Sequence, residues 1–124
     1  MSPITRSVPF TINSLYAGLG QCHGMVFDEG DHLRFEYQIQ DTFGGVFKGG
    51  VKQFRVPVTE IIAVDLVKGW LGFTRMGVKI VMQSNNLHTF KPLPGSSQGK
   101  IELKVTASNA PLAEEFVNGL YRQE

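Results

Sequence analysis

The clearest feature of this sequence is a repeated alternation of apolar and polar residues. Residues 33–40 and 100–107 each place an apolar side chain at every second position, with polar side chains between them. A period of two is typical of a β-strand with one buried face. Further runs rich in the strand-favouring residues Val, Ile and Phe are found at 21–27, 53–57, 61–68, 78–83 and 87–91. The pattern therefore predicts seven strands between residues 20 and 107, preceded by an N-terminal extension over 1–19.

Short turns separate several of the predicted strands. Residues 28–31 (Asp-Glu-Gly-Asp) predict a hairpin in which Gly30 adopts a positive φ, and residues 84–86 (Ser-Asn-Asn) predict a second turn of this kind. Parallel strands need long crossover connections, so turns of this length favour an antiparallel meander. The expected fold class is mainly β.

The periodicity changes after residue 108, where apolar residues recur at spacings of three and four, as in an amphipathic helix. This stripe comprises Leu112, Ala113, Phe116, Val117 and Leu120. Asn109 is the expected N-cap, and Gly119 is expected to weaken the helix by about 1 kcal/mol relative to Ala. A helix this short is marginal alone. We therefore expect a helix over 109–122 whose stripe covers an open end of the strand structure.

Composition narrows the class of protein. A chain of 124 residues fits one domain over 1–124, and 42% hydrophobic with 19% charged residues is typical of a globular protein. The net charge of +1 gives no basic surface of the kind that nucleic acids select, so we expect no nucleic-acid partner. Cys22 is the single cysteine, and no signal peptide or membrane-spanning run is seen, so we expect a cytoplasmic protein.

Five short stretches follow one another in a recognisable order along the chain. They are residues 32–37 (HLRFEY), 56–61 (VPVTEI), 68–72 (KGWLG), 93–95 (LPG) and 99–105 (GKIELKV). Together with the C-terminal helix they resemble small bacterial pleckstrin-homology-like (PH-like) proteins, over about residues 21–122. The resemblance implies a barrel of seven antiparallel strands in two near-orthogonal sheets, capped by the helix. PH-like domains are binding scaffolds and rarely enzymes, so it implies a non-catalytic module without fixing the ligand.

One departure from the PH-like pattern concerns the first predicted hairpin. PH domains that bind phosphoinositides place Lys and Arg there, whereas this chain has Asp28, Glu29 and Asp31, with Arg34 alone nearby. Three carboxylates would repel a polyphosphorylated headgroup. We therefore expect no phosphoinositide site at this hairpin.

The motifs that could carry chemistry fail on spacing or geometry. Residues 94–100 resemble a phosphate-binding loop, but they lack its four-residue spacing between glycines and lead into a predicted strand. Cys22 and His23 are neighbours in a predicted strand and should point to opposite faces, and the histidines show no metal-ligand spacing. We expect no catalytic, cofactor or metal site. A remote alternative is an enzyme that uses Cys22 with His88, which rapid alkylation of the thiol would reveal.

Two loops of the predicted meander are more apolar than solvated loops usually are. They extend over 43–52 and 69–77, and both combine aromatic residues with glycines. The connections 43–52, 69–77 and 92–99 are expected at the same end of the meander, where they would form an apolar patch that includes Leu93 and is ringed by lysines. The candidate interface residues are Phe43, Val46, Phe47, Lys48, Trp70, Leu71, Phe73 and Arg75.

The aromatic side chains of these loops have an alternative position. Trp70 and its neighbours could fold back over the barrel and complete its core, and the sequence leaves both positions open. Exposed, they favour a protein that binds itself, as a homo-oligomer, or another protein, through these loops or through unpaired sheet edges. A basic rim with aromatic tips also suits peripheral contact with an anionic membrane. The main alternative function is an intracellular carrier of a lipid or small ligand.

Overall fold

In the computed structural model, seven antiparallel strands are followed by one C-terminal helix. The structure describes residues 6–15, 20–41, 47–68 and 77–121, with side chains in these ranges except at 13–15, 41, 47–49 and 121. The strands are β1 (Arg6–Leu15), β2 (Gly20–Asp28), β3 (His32–Asp41), β4 (Phe47–Pro57), β5 (Ile61–Val67), β6 (Val78–Ser84) and β7 (Lys100–Val105). The helix α1 comprises Ala110–Tyr121, and 3-10 turns at Val58–Glu60 and Ala107–Asn109 precede β5 and α1. The predicted mainly β class, with seven antiparallel strands and a C-terminal helix, is confirmed.

All seven strands belong to one sheet, in the order β4-β3-β2-β1-β7-β6-β5. Each neighbouring pair is antiparallel, but β1 shares a single register pair with β7, Thr11↔Lys104. No pairing joins β4 to β5 in the part of the chain that the structure describes, so the sheet is not closed there. This strand order does not by itself establish the two-sheet barrel that the resemblance implies.

The first strand lies where the sequence analysis placed an N-terminal extension. Val8, Phe10 and Ile12 of β1 are buried in the core. Apolar residues therefore alternate with other residues here as in the other strands, but over three positions only. Pro9 interrupts the pattern and argues against a central strand, because proline cannot donate a ladder hydrogen bond. The structure accommodates Pro9 opposite Met25 of β2, at a point where β1 has no register partner in β7. Residues 6–15 are therefore a strand and not part of an extension.

The segment between β6 and β7 does not contain the strand predicted for 87–91. Residues 85–99 are mostly turns, with backbone hydrogen bonds such as that from Leu93 N to Phe90 O at 2.9 Å. Phe90 and Leu93 are both buried, and the Phe90 ring lies 6.0 Å from the Phe35 ring in an edge-on arrangement. The prediction was wrong because the spacing of three between Phe90 and Leu93 places both side chains on the core side of a turn.

Side-chain hydrogen bonds hold this turn segment against the strands. Tyr37 Oη donates to the carbonyl of Pro92 at 2.8 Å. Thr89 Oγ1 donates to Glu60 Oε1 at 2.7 Å. Thr89 Oγ1 also lies 2.7 Å from Ser84 Oγ. Because the single hydroxyl hydrogen of Thr89 is used toward Glu60, Ser84 donates to Thr89. The segment is thus tied to β3, to β6 and to the 3-10 turn before β5.

Helix α1 buries most of the stripe that the sequence predicts for it. Ala113, Phe116, Val117 and Leu120 are buried, whereas Leu112 is 41% exposed. With 3.6 residues per turn, Leu112 lies roughly 90° from the centre of the buried stripe, which places it at the margin of the contact. The expectation that Leu112 packs beside Phe116 and Leu120 was wrong for this residue alone.

The structure explains why a glycine stands at position 119 of the helix. A Cβ atom at this position would lie 2.7 Å from Arg6 Nη1, so the guanidinium of Arg6 lies against the helix here. The same Nη1 atom is 3.8 Å from Asp28 Oδ2 at the end of β2. The glycine therefore makes room for a side chain that connects β1 with the helix and with β2.

Candidate interaction surface

The β2–β3 hairpin carries the carboxylates that the sequence analysis assigned to it. Gly30 has φ 99°, as predicted for this turn, and its amide donates to Asp28 Oδ1 at 3.1 Å. Asp28 is buried despite its charge. Asp28 therefore closes the turn, as aspartate side chains commonly do, and does not face outward toward a ligand.

His32 lies between two carboxylates of this hairpin. Its Nδ1 is 2.6 Å from Asp31 Oδ1, and its Nε2 is 2.9 Å from Glu29 Oε1. Ionised carboxylates only accept hydrogen bonds, so this geometry favours the imidazolium form of His32, in which both ring nitrogens donate. The hydrogen bond to Asp31, together with that to Glu29, raises the pKa of His32 against the opposing effect of desolvation. Desolvation acts to raise the pKa of Glu29, but hydrogen bonds from His32 and Arg34 outweigh it and the pKa is lowered.

Arg34 is engaged within the hairpin. Its Nε donates to Glu29 Oε1 at 3.2 Å, and its Nη1 donates to Glu36 Oε2. Its guanidinium also lies 4.0 Å from the centre of the Phe27 ring, a cation–π contact. A guanidinium that already contacts two carboxylates is poorly placed to bind a phosphate. That the hairpin holds no phosphoinositide stays a prediction, which these contacts favour.

The β4 strand forms one free edge of the sheet in the described structure. Its residues 52–57 pair in unbroken register with residues 32–37 of β3. Between the pairs Tyr37↔Lys52 and Ile39↔Lys48, β3 advances by two residues and β4 by four, which defines a bulge in β4. Val51 lies in this bulge and is 66% exposed. An apolar side chain therefore lies beside a regular stretch of strand that, among the described residues, pairs with β3 alone.

The β5 strand forms the opposite edge of the described sheet and is shorter than β4. Its register with β6 shifts between Ile61 and Ala63, and the intervening Ile62 is exposed. Asp65 is also exposed on this strand. Bulges and charged side chains are common devices that limit the addition of another strand to an edge. The β4 edge has such devices too, namely the bulge at Val51 and the exposed Lys52 and Arg55. It is the better candidate for docking a partner strand because its regular run over 52–57 is longer than the run over 63–67 of β5.

Most of the predicted interface residues lie outside the described residues. This group comprises Phe43, Val46, Trp70, Leu71, Phe73 and Arg75. Phe47 and Lys48 begin β4, where they pair with Gln40 and Ile39, but the structure does not describe their side chains. The expected apolar loop patch therefore stays a prediction.

Leu93, which was expected to complete this patch, is 1% exposed and belongs to the core. The expectation depended on counting 87–91 as a strand. Residues 42–46 and 69–76 lie outside the described residues, so the expected grouping of the connections 43–52, 69–77 and 92–99 stays a prediction, in which Leu93 can no longer take part.

Cys22 and His23 point to opposite faces of β2, as the strand geometry predicts. Cys22 is fully buried, and desolvation raises its pKa to about 12, which disfavours the thiolate needed for nucleophilic attack. His23 is partly exposed, with Nε2 3.0 Å from Gln40 Oε1, and His88 is exposed in the turn segment. The described residues contain no group of three His, Cys, Asp or Glu side chains that could hold a metal ion.

A cleft that the sequence analysis did not predict opens between β1 and β7. The strands separate beyond the pair Thr11↔Lys104. The cleft has a volume of about 400 Å³ and is lined by Ile12, Gly95, Ser97, Gln98, Lys100, Glu102 and Lys104. These residues come from one end of the chain and from its last third. The sequence analysis singled out residues 94–100 of this lining, but nothing in the sequence indicates that they lie beside Ile12 of β1.

One wall of the cleft belongs to the segment that resembles a phosphate-binding loop. Ser97 and Lys100 exchange backbone hydrogen bonds of 3.0 and 2.9 Å, and the residues between them, Gln98 and Gly99, have φ 54° and 79°. Two successive positive φ values in a two-residue hairpin are typical of a type I′ turn. As predicted, the segment leads into a strand and not into a helix.

Comparison with known proteins adds no family to this description. No protein-family model, curated protein or solved structure matches the chain. Among the described residues, no helix has the length and apolar character needed to cross a membrane. Function is therefore inferred from the geometry of the strand edges.

Proposed function

We propose that this protein is a non-catalytic binding module that associates with copies of itself through the β4 edge. The observation that carries this proposal is the unbroken stretch 52–57 of β4, which pairs with β3 on one side and adjoins the exposed Val51. A long strand edge with free backbone groups is a ready template for another strand. An oligomer would satisfy those groups and remove Val51 from water.

The strength of this contact would come from two sources. Hydrogen bonds along residues 52–57 would give the contact its direction and register. Burial of Val51 would add roughly 1.5 kcal/mol or more for each copy. The apolar segments that the sequence analysis singled out, with Phe47 at the start of β4 and with Trp70, remain the second proposed route to self-association. The two routes adjoin at the start of β4, where Phe47 lies four residues before Val51.

We also propose a PH-like architecture for the chain. The support is the order of elements, a meander of seven strands followed by a helix, with β1 placed between β2 and β7. Phe116 and Leu120 of the helix are buried in the same core as the strands, as a capping helix requires. This architecture is compatible with a binding scaffold, and the proposal of a non-catalytic role agrees with the inert environment of Cys22.

A carrier of a lipid within the core has less support. Phe35, Phe90 and Phe116 are fully buried and fill the space between the sheet, the helix and the turn segment 85–99. Phe35 stacks on Phe54 with ring centres 4.9 Å apart. A core packed in this way leaves its aromatic side chains in contact with one another instead of with a ligand.

The proposal is tested by measuring the molar mass of the wild type by size-exclusion chromatography with light scattering over a range of concentrations. We expect a mass above that of one chain, and we expect Val51→Lys to shift it toward one chain. Leu87→Lys is the matched control, because Leu87 is also 66% exposed but lies in the turn segment away from β4. Circular dichroism would verify that both variants are folded.

Three results would distinguish the alternatives. A wild type that is monomeric at every concentration contradicts self-association. An oligomer that Val51→Lys leaves intact, but that the double variant Phe47→Asp/Trp70→Asp dissociates, assigns the contact to the loops and not to the strand edge. Unfolding of that double variant would show that these aromatic side chains belong to the core.

A further inference from the structure

We propose that the strand which docks on the β4 edge is β4 of a second copy, in antiparallel orientation about a two-fold axis at Phe54. This inference rests on the proposed self-association and names the edge that each copy contributes. The described sheet also ends at β5, and a contact of β4 with β5 would leave one edge of each kind free at the ends of every assembly. Such a contact continues into a fibre, whereas a contact between two β4 strands closes as a dimer.

The backbone hydrogen bonds indicate which residues of β4 face the free edge. Val58 N donates to the carbonyl of Asp31 at 3.0 Å, directly beyond the last register pair of β4 with β3. Hydrogen-bonded pairs alternate with non-hydrogen-bonded pairs along an antiparallel ladder. Counted back along the unbroken register, residues 52, 54 and 56 bond to β3. Residues 53, 55 and 57 therefore direct their backbone groups away from β3.

Pro57 agrees with this assignment. Proline has no N–H, and within sheets it is found on edge strands with its nitrogen on the free side. The regular run 52–57 therefore offers a partner the N–H and C=O groups of Gln53 and Arg55, together with the C=O of Pro57. Only Gln53 and Arg55 have both groups available for a complete hydrogen-bonded pair.

The axis at Phe54 uses both of these residues. Residues opposite each other in an antiparallel pair point to the same face, so the axis passes through a residue. At Phe54 it places Gln53 of each copy opposite Arg55 of the other, in two hydrogen-bonded pairs. An axis at Gln53 leaves one such pair within the regular run, because the next would fall in the bulge. An axis at Arg55 would set two guanidinium groups directly opposite each other, which is destabilising.

The same axis brings apolar side chains of the two copies together. Phe54 is half-buried and stacks on Phe35 with ring centres 4.9 Å apart. It would lie opposite Phe54 of the second copy in a non-hydrogen-bonded pair, in which Cα atoms are about 4.5 Å apart. Val51 of each copy would come beside Pro57 of the other, and both residues are exposed in the single chain. The core of each copy would thus continue across the contact.

The charges of β4 favour an antiparallel over a parallel contact. The strand contains two lysines and one arginine and no acidic residue. A parallel contact would bring the same ends of both strands together, and with them their like charges. The antiparallel register sets Lys52 opposite Val56 and puts no like charges directly opposite each other. It also directs the hairpin of each copy toward the basic start of β4 in the other, and the Asp31 side chain there is 92% exposed although it contacts His32.

The proposal is tested by disulfide cross-linking at the exposed edge residues Gln53 and Arg55. Full-length Gln53→Cys and Arg55→Cys are mixed in equal amounts and oxidised with copper phenanthroline, and mass spectrometry identifies the cross-linked chains. We expect dimers with one chain of each variant, because positions 53 and 55 would be opposite each other at about 5.5 Å between Cα atoms. Each variant alone should cross-link roughly tenfold less, because its two cysteines would be diagonal and about 7–8 Å apart.

Leu87→Cys is the matched control, because Leu87 is 66% exposed but lies in the turn segment, and it should not cross-link with either variant. An oligomer in which the mixture cross-links no better than either variant alone overturns the axis at Phe54 but leaves self-association intact. A molar mass that keeps growing with concentration overturns the closed dimer in favour of contact between β4 and β5. A wild type that is monomeric at every concentration contradicts both proposals.

Discussion

Gly77 lies directly before β6, against the backbone of β7. A Cβ atom at this position would be 1.5 Å from the carbonyl oxygen of Val105, and that neighbour is backbone, which cannot move aside alone. We predict that Gly77→Ala lowers the free energy of unfolding by about 3 kcal/mol, because the pairing of β6 with β7 must be distorted to admit a methyl group. Urea unfolding would measure the loss.

Gly50 is the matched control for this prediction. It lies in the bulge of β4, and a Cβ atom there would meet no atom within 4 Å. Gly50→Ala should therefore change the free energy of unfolding by no more than about 0.5 kcal/mol. An equal loss in both variants would mean that the close approach of Gly77 to Val105 does not determine the effect.

The hydrogen bonds of His32 make the stability of the β2–β3 hairpin depend on pH. Because the pKa of His32 is raised above its ordinary value of 6.5, its contribution is fully present below that value and is lost as the pH rises through the folded-state pKa. Glu29 has a lowered pKa, so its contribution is present above 4.5 and is lost as the pH falls below that value. The hairpin is therefore expected to be most stable between these two values.

The prediction for His32 concerns how the difference in stability between the wild type and His32→Gln changes with pH. Wild type should be more stable than His32→Gln near pH 5.5, and the difference should shrink as the pH is raised to 9. Thermal unfolding at several pH values would measure it, with His88→Gln as the control at an exposed histidine. A difference that is constant with pH would show that His32 is not charged in the folded protein.

The turn at residues 97–100 favours particular residues at its two central positions, because both have positive φ values. Gln98 occupies the left-handed region, which costs a residue with a Cβ atom roughly 1–2 kcal/mol and which Asn tolerates better. We predict that Gln98→Asn raises the free energy of unfolding by about 0.5 kcal/mol, since Asn-Gly is the preferred pair for a type I′ turn. Gly99→Ala should be destabilising, because Gly99 also has a positive φ. Chemical denaturation would show whether the two changes have these opposite signs.

The contact between Gly119 and Arg6 couples helix α1 to the sheet. Gly119→Ala should gain about 1 kcal/mol of helix propensity but displace the Arg6 guanidinium from its position near Asp28. We predict a change near zero in the wild type and a stabilisation of about 1 kcal/mol in an Arg6→Ala background. A double-mutant cycle by urea unfolding measures the coupling, and additive effects would contradict the contact.

The strength of the local pattern decided which elements could be predicted. The strict alternation in β3 and β7 and the stripe of α1 each repeat several times, so these elements were found. β1 was missed because Pro9 interrupts a short alternation. Residues 87–91 were taken for a strand because their composition does not distinguish a strand from a turn that sends Phe90 into the core. Composition alone does not determine whether such a segment forms a strand or a turn.

At the scale of the whole molecule, the Phe35 ring connects three parts of the chain. It packs edge-on against Phe10 of β1 and Phe90 of the turn segment, and it stacks on Phe54 of β4. We predict that Phe90→Ala costs about 3–5 kcal/mol, as for other fully buried aromatic side chains. Leu87→Ala, in the same segment but exposed, should cost little. Comparable losses in thermal or urea unfolding would contradict the arrangement in which Phe90 is buried and Leu87 is exposed.

The candidate surfaces were accessible to sequence reasoning to different degrees. Aromatic residues flanked by glycines, as around Phe47, indicate a loop with unusual apolar content, and this signal is local. The β4 edge and the β1–β7 cleft carry no such signal, because each depends on which strands lie next to one another. Lys104 is an ordinary exposed lysine in sequence and lies opposite Lys79 only once β6 and β7 are paired.

The amino-acid sequence by itself determined the alternating strands, the hairpin at Gly30 and the helical stripe, because each depends on contacts a few residues apart. The tertiary structure decided the strand order, the free edge at β4, the filling of the core by Phe90 and Leu93, and the cleft beside Lys100. Alternating apolar and polar residues indicate that one face of a strand is buried, but they do not indicate which other element covers that face. The partners come from distant parts of the chain, and packing in three dimensions selects them.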